Sequence, residues 1–99
     1  MKIAVCDDDL IFQRKIKEEL DQYYQSLDVL VEIFSSGEDL LRAAAADPYG
    51  FFCVFLDIEM PGIDGMETAR RLGELNRNLP VLFLTSHRDL AMDGYELNA

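Results

Sequence analysis

The chain has 99 residues, 49% of them hydrophobic, and carries 9 basic against 19 acidic side chains for a formal net charge of −10. That length makes one domain with an ordinary packed core, and the charge repels DNA phosphates and anionic lipid surfaces, so direct nucleic-acid binding is not expected. The apolar part of "MKIAVCDDD" is too short for a signal peptide, and no apolar run nears the roughly 18 residues that cross a membrane.

The chain opens with "KIAVC" (2–6), a short β-branched apolar run that reads as a strand. Asp8 or Asp9 can cap the helix that follows, in which Ile16, Leu20, Tyr23 and Leu27 recur at helical spacing. "VLVEIF" (29–34) returns to strand character, and "SSGEDLLRAAAA" reads as a second helix, with Ser36 and Asp39 at capping-box spacing. "DPYG" breaks that helix. "FFCVFL" (51–56) is apolar at every position, as in a strand covered on both faces. "DGMETARRLGEL" reads as a third helix, with Asp64 as its cap and Arg70 and Arg71 on a wet face. "PVLFL" (80–84) is a fourth strand with Pro80 at its first position, where the missing donor is tolerated. "TSHRDLAMDGYELNA" leads into a weaker fourth helix, with Gly94 against it. Phe51, Phe52, Phe55 and Phe83 are expected in the core. Cys6 and Cys53 both sit in apolar runs and read as small buried hydrophobes, which favours a reducing cytoplasm over a disulfide.

The order βαβαβαβα implies right-handed crossovers and an α/β fold, a parallel sheet covered on both sides. In such a sheet, sites form beyond the carboxyl ends of the strands where strand order reverses. Strand 1 ends at Asp7, Asp8 and Asp9, strand 3 at Asp57, and strand 4 at Thr85 and Ser86. Taken singly, each is an ordinary cap or turn residue. Gathered at one sheet edge they form an acidic pocket, and converging carboxylates raise each other's pKa unless a cation offsets them. An all-oxygen set with no nearby His or Cys fits Mg²⁺, or Mn²⁺, rather than zinc.

"AVCDDD", "FLDIEMPGIDGMETA" and "VLFLTSH" together resemble the receiver domain of bacterial two-component response regulators, in order and spacing through nearly the whole chain. "FSSGEDLL" and "TSHRDLAMDGYELNA" look most like receivers attached to LytTR-type DNA-binding domains. The resemblance implies a flavodoxin-like doubly wound sheet of order 2-1-3-4 in three αβα layers, with a fifth strand and helix missing, so that residues 1–99 form a receiver incomplete at its C-terminus. It makes Asp57 the acceptor of a phosphoryl group from a sensor histidine kinase and also a member of the metal site, Asp8 a direct metal ligand, and Asp7 its neighbour acting through water. The backbone carbonyl of Glu59 would complete the metal site, and Thr85 would contact the phosphoryl group. Pro61, Gly62 and Gly65 would shape the loop that holds Asp57. The family's fifth strand opens with a lysine that pairs with the phosphoryl group; no Lys follows Lys17 here, and Arg88 is poorly placed to substitute.

The expected function is therefore that of a phosphoacceptor signalling domain, not an enzyme, controlling an output domain absent from this chain. The alternative is a receiver-like interaction module that works without phosphorylation. A phosphatase using Asp57 is disfavoured, since Asp57-Ile58-Glu59 lacks the second Asp of the Asp-x-Asp hydrolases. With no fifth strand, "PVLFL" would be an apolar edge open to self-association. His87, the single histidine, reads as an ordinary helix-start residue, and Tyr95 as packing.

Overall fold

The computed structural model describes residues 1–25 and 28–84. Strands and helices alternate: β1 (Lys2–Cys6), α1 (Leu10–Tyr23), β2 (Leu30–Phe34), α2 (Gly37–Ala46), β3 (Phe51–Asp57), α3 (Gly65–Leu75) and β4 (Val81–Leu84). Each helix starts on a side-chain cap that satisfies backbone donors left over by the first turn. Asp9 accepts from the N–H groups of Ile11 and Phe12, Ser36 from that of Asp39, and Asp64 from that of Glu67. Each such cap is worth about 1 kcal/mol. Of the two acids able to cap α1, Asp9 takes the role, which leaves Asp8 for other work.

The four strands are parallel in the order β2-β1-β3-β4. The chain steps outward from β1 to β2 and then returns to build β3 and β4 on the other side. The order therefore reverses between β1 and β3, and a crevice opens at their carboxyl ends. Alternation along the strands sorts side chains into two layers. Ala4, Cys6, Val54 and Leu56 face Leu40 and Ala44 of α2 and Ala69 and Leu72 of α3. Val5 faces Phe12 and Ile16 of α1, with Phe55 packed against the same cluster. Leu40, Leu56 and Leu72 are wholly buried, and each contributes about 1.5–3 kcal/mol of apolar burial.

Two sequence expectations need correction. Phe52 is 56% exposed and lies outside the core. The reason is a register shift: Lys2 pairs with Phe51 but Ile3 pairs with Cys53, so Phe52 is an extra residue with no partner on β1. Tyr23 does not continue the apolar stripe of Ile16 and Leu20. It is 80% exposed at the end of α1, where its ring meets that of Tyr24 edge-on. Leu27, Thr85, Ser86, His87, Arg88, Tyr95 and the expected fourth helix lie outside the described residues. No helix among the described residues is long and apolar enough to cross a membrane.

Candidate functional site

The ladder between β1 and β3 ends with Cys6 opposite Leu56. The next residue on each strand is an aspartate, so pairing alone sets Asp7 beside Asp57 at the carboxyl edge of the sheet. Asp8 follows in the turn to α1. Carboxylate oxygens of Asp7, Asp8 and Asp57 all lie within 4.8 Å of one another. Asp7 is fully buried and Asp57 is 2% exposed, while Asp8 is open to solvent. The pocket thus has a buried acidic floor and an exposed acidic rim.

Hydrogen bonds fix the floor. Oδ1 of Asp7 accepts the Asp9 N–H at 2.9 Å, and the Asp7 N–H donates to the Phe34 carbonyl at 3.0 Å. Oδ1 of Asp57 accepts the Glu59 N–H at 3.4 Å. Asp57 is also in register with Leu84 of β4, and the Ile58 N–H donates to the Leu84 carbonyl at 3.3 Å. The acid is held between two strands of the sheet.

The loop from β3 to α3 is tied down at both ends. Gly65 donates its N–H to the Ile58 carbonyl at 2.8 Å, and a Cβ there would stand 2.2 Å from the Asp57 carbonyl oxygen. Only glycine allows so close an approach of helix to strand. Gly62 adopts φ +78°, a left-handed conformation that suits glycine, beside the Glu38 carboxylate. That carboxylate, in the first turn of α2, accepts the Ile63 N–H at 3.3 Å.

The local potential is strongly negative. The Cys6 thiol is pushed up to about 12, first by burial and then by Asp7 and Asp57, with Asp39 and Asp8 adding to it. Its Sγ lies 3.7 Å from Met60 Sδ, so the sulfur serves as core. Burial likewise raises the Cys53 thiol. Both cysteines are free.

Three carboxylates this close, two of them buried, repel one another unless a cation gathers them. The donor set is all oxygen and carries formal charge well matched to a hard divalent ion, which fits Mg²⁺ or Mn²⁺. Among the expected site residues, the structure brings together Asp7, Asp8 and Asp57. Glu59 is exposed and its carboxylate is not one of the three; its link to the site is the main-chain bond to Asp57. Sequence reasoning passed over Gln13 and Glu38. The signal for Gln13 was its position one residue from Phe12 and three before Ile16, on the stripe that α1 buries.

A family model for the response regulator receiver domain matches residues 3–99. The response regulator protein TodT of Pseudomonas putida is 32% identical over 90 residues, which cover 91% of this chain and 37% of TodT. Two solved structures share the fold. A response regulator receiver domain protein from Clostridium thermocellum superimposes with a TM-score of 0.77 at 29% identity, covering 91% of this chain and 68% of that one. The BeF3-activated DrrB receiver domain gives 0.69 at 36% identity, covering 85% and 64%. The chain spans well under half the length of TodT. A parallel sheet of this order, an acidic crevice at its switch point and a family match along nearly all of its length agree: the chain belongs to the response regulator receiver domain family.

Proposed function

We propose that Asp57 accepts a phosphoryl group from the phosphohistidine of a sensor histidine kinase, and that Asp7, Asp8 and Asp57 itself hold the divalent cation, Mg²⁺ or Mn²⁺, that this transfer needs. The observation that carries this reading is the convergence of Asp7, Asp8 and Asp57 within 4.8 Å of one another, with Asp57 the last residue of β3. In the transfer an Asp57 carboxylate oxygen attacks phosphorus, the O–P bond forms as the P–N bond breaks, and the electron pair leaves with the imidazole. The cation, when bound, offsets the repulsion between the incoming anion and the carboxylates. The protein's part is to keep the nucleophile aimed. Burial between β1 and β4 restricts the Asp57 side chain, and the bond from the Glu59 N–H orients it. The Glu59 carbonyl is assigned to the cation site on the family resemblance.

The acyl phosphate adds nearly two negative charges and strong acceptor oxygens. Thr85, the next residue after Leu84, is proposed to bond one of them and so bias the segment that follows. An output domain elsewhere in the full protein, of LytTR type on the sequence resemblance, would read that change in the cytoplasm. The test is intact mass after incubation with Mg²⁺ and acetyl phosphate, whose O–P bond is cleaved with acetate leaving. Wild type gains one phosphoryl group, and Asp57→Ala gains none. A gain that persists in Asp57→Ala, or no gain with Mg²⁺ demonstrably bound, overturns the assignment; the latter favours a phosphorylation-independent interaction module.

Among the described strands β4 pairs on one side only, and its other edge is proposed to pair with a second copy of the chain. Light scattering that returns the monomer mass at high protein concentration excludes that association.

A further inference from the structure

Gln13 is a polar side chain on the buried face of α1, 8% exposed, between Phe12 at 4% and Ile16 at 6%. A leucine or methionine would fill the same space. The amide is instead committed to two partners: Nε2 donates to the Asp7 carbonyl oxygen and, at 3.0 Å, to Ser35 Oγ. A side-chain NH₂ has two hydrogens, so both bonds form at once.

The position of the first acceptor matters most. The ladder between β1 and β2 closes at Cys6 opposite Phe34, so the Asp7 carbonyl lies just past the last paired residue. With the Phe34 carbonyl holding its N–H and the Asp9 N–H holding its carboxylate, Asp7 is gripped by three separate segments. Gln13 supplies the grip that comes from a helix, and it acts on the carbonyl side of the residue. Rotation of that peptide would swing the Asp7 carboxylate relative to Asp8 and Asp57. Through Ser35 the same amide reaches the loop leading into α2, next to the Ser36 cap.

We propose that Gln13 is a positioning residue of the acidic pocket, locking the Asp7 peptide and thereby setting the affinity for the divalent cation. The inference rests on reading Asp7, Asp8 and Asp57 as a cation site. Its test is calorimetric titration of Mg²⁺ into the full chain, paired with thermal melting in EDTA, for wild type, Gln13→Met, Ser35→Ala and Ile16→Val. Gln13→Met keeps the volume and removes the donors; groups that orient metal ligands typically change affinity 10- to 100-fold, and a rise in Kd of about tenfold is expected. Ser35→Ala frees one end of the amide and gives a smaller rise. Ile16→Val, on the same helix face, lowers the melting temperature and leaves Kd unchanged, which separates positioning from loss of stability. Wild-type affinity in Gln13→Met overturns the proposal, as does a Kd that rises in Ile16→Val in step with its destabilisation. Should Gln13→Met fail to fold, Ser35→Ala decides, and an unchanged Kd there overturns it. A wild-type chain that takes up no Mg²⁺ removes the cation site itself and this inference with it, an outcome distinct from equal binding by wild type and variant.

Discussion

Gly65 connects the geometry of a backbone to the chemistry of a side chain. Its Cα stands so close to β3 that an added Cβ would meet the Asp57 carbonyl oxygen at 2.2 Å and Ile58 Cα at 2.7 Å. Both are main-chain atoms, so no flexible side chain can yield, and either α3 or the end of β3 must move. Gly65→Ala should therefore cost about 1–3 kcal/mol, the usual range for forced overpacking, and weaken Mg²⁺ binding as well, because the strand end it displaces carries Asp57. Gly73 is the contrast. It lies inside α3, and a Cβ added there would meet nothing within 4 Å, so Gly73→Ala should stabilise the protein by about 0.5–1 kcal/mol through helix propensity. Urea unfolding of the two variants measures both signs; similar effects for the two would mean that contact with Asp57 is not what selects glycine at 65.

The same kind of contact explains what could be read in advance. Asp7, Asp8 and Asp57 were legible because each follows an apolar run, and a parallel sheet brings such run ends together. The caps Ser36 and Asp64 were legible because capping is local, and the cap of α1 was legible as Asp8 or Asp9, a choice the structure makes for Asp9. Phe52 was misplaced because a register shift between strands leaves no trace in a run that is apolar throughout. Gln13 was passed over because its place on the buried stripe of α1 does not reveal its partners, Asp7 and Ser35, which lie on separate loops. Tertiary hydrogen bonds of that kind have no sequence period.

Helix α3 carries a charge network on its outer face. Glu67 bonds Arg70 at 2.7 Å and Arg71 at 2.7 Å, and Arg70 reaches on to Glu74 at 3.0 Å. Hydrogen bonds from Arg70 and then Arg71 hold the Glu67 carboxyl down at about 2, against an ordinary value of 4.5. The same bonds raise the Arg70 guanidinium. Glu67 also lies in the first turn of the helix, where negative charge is favourable. A carboxylate whose folded pKa is depressed adds stability that is complete above the unfolded value and is lost as pH falls through the folded one. The window here runs from about 4.5 down to about 2. Because the group faces solvent, its contribution is small and screened by salt. Melting temperatures of wild type and Glu67→Gln should differ at pH 6, converge as pH falls across that window, and lie closer at every pH in 1 M salt. A difference that holds constant down to pH 2 would mean that the ion pairs add nothing.

Seen as one folding unit, the protein places its least favourable charges at the one point where both halves of the sheet meet. Asp7 comes from the end of β1 and Asp57 from the end of β3, so any species that holds them together also holds those halves together. A ligand that binds only the folded state stabilises by RT ln(1 + [L]/Kd), about 2.7 kcal/mol at 100 times Kd. In a domain of this size each kcal/mol moves the melting temperature by about 4–8 °C. Saturating Mg²⁺ should therefore raise the melting temperature of wild type by more than about 10 °C over EDTA. Asp57→Asn keeps the shape of the side chain and removes one charge from the cluster. In EDTA it should melt no lower than wild type, since one source of repulsion is gone, and Mg²⁺ should raise it by less than half as much. Equal Mg²⁺ shifts for the two proteins would place the cation away from Asp57, and the opposing charges at the head of the sheet would then have to be balanced by the protein alone.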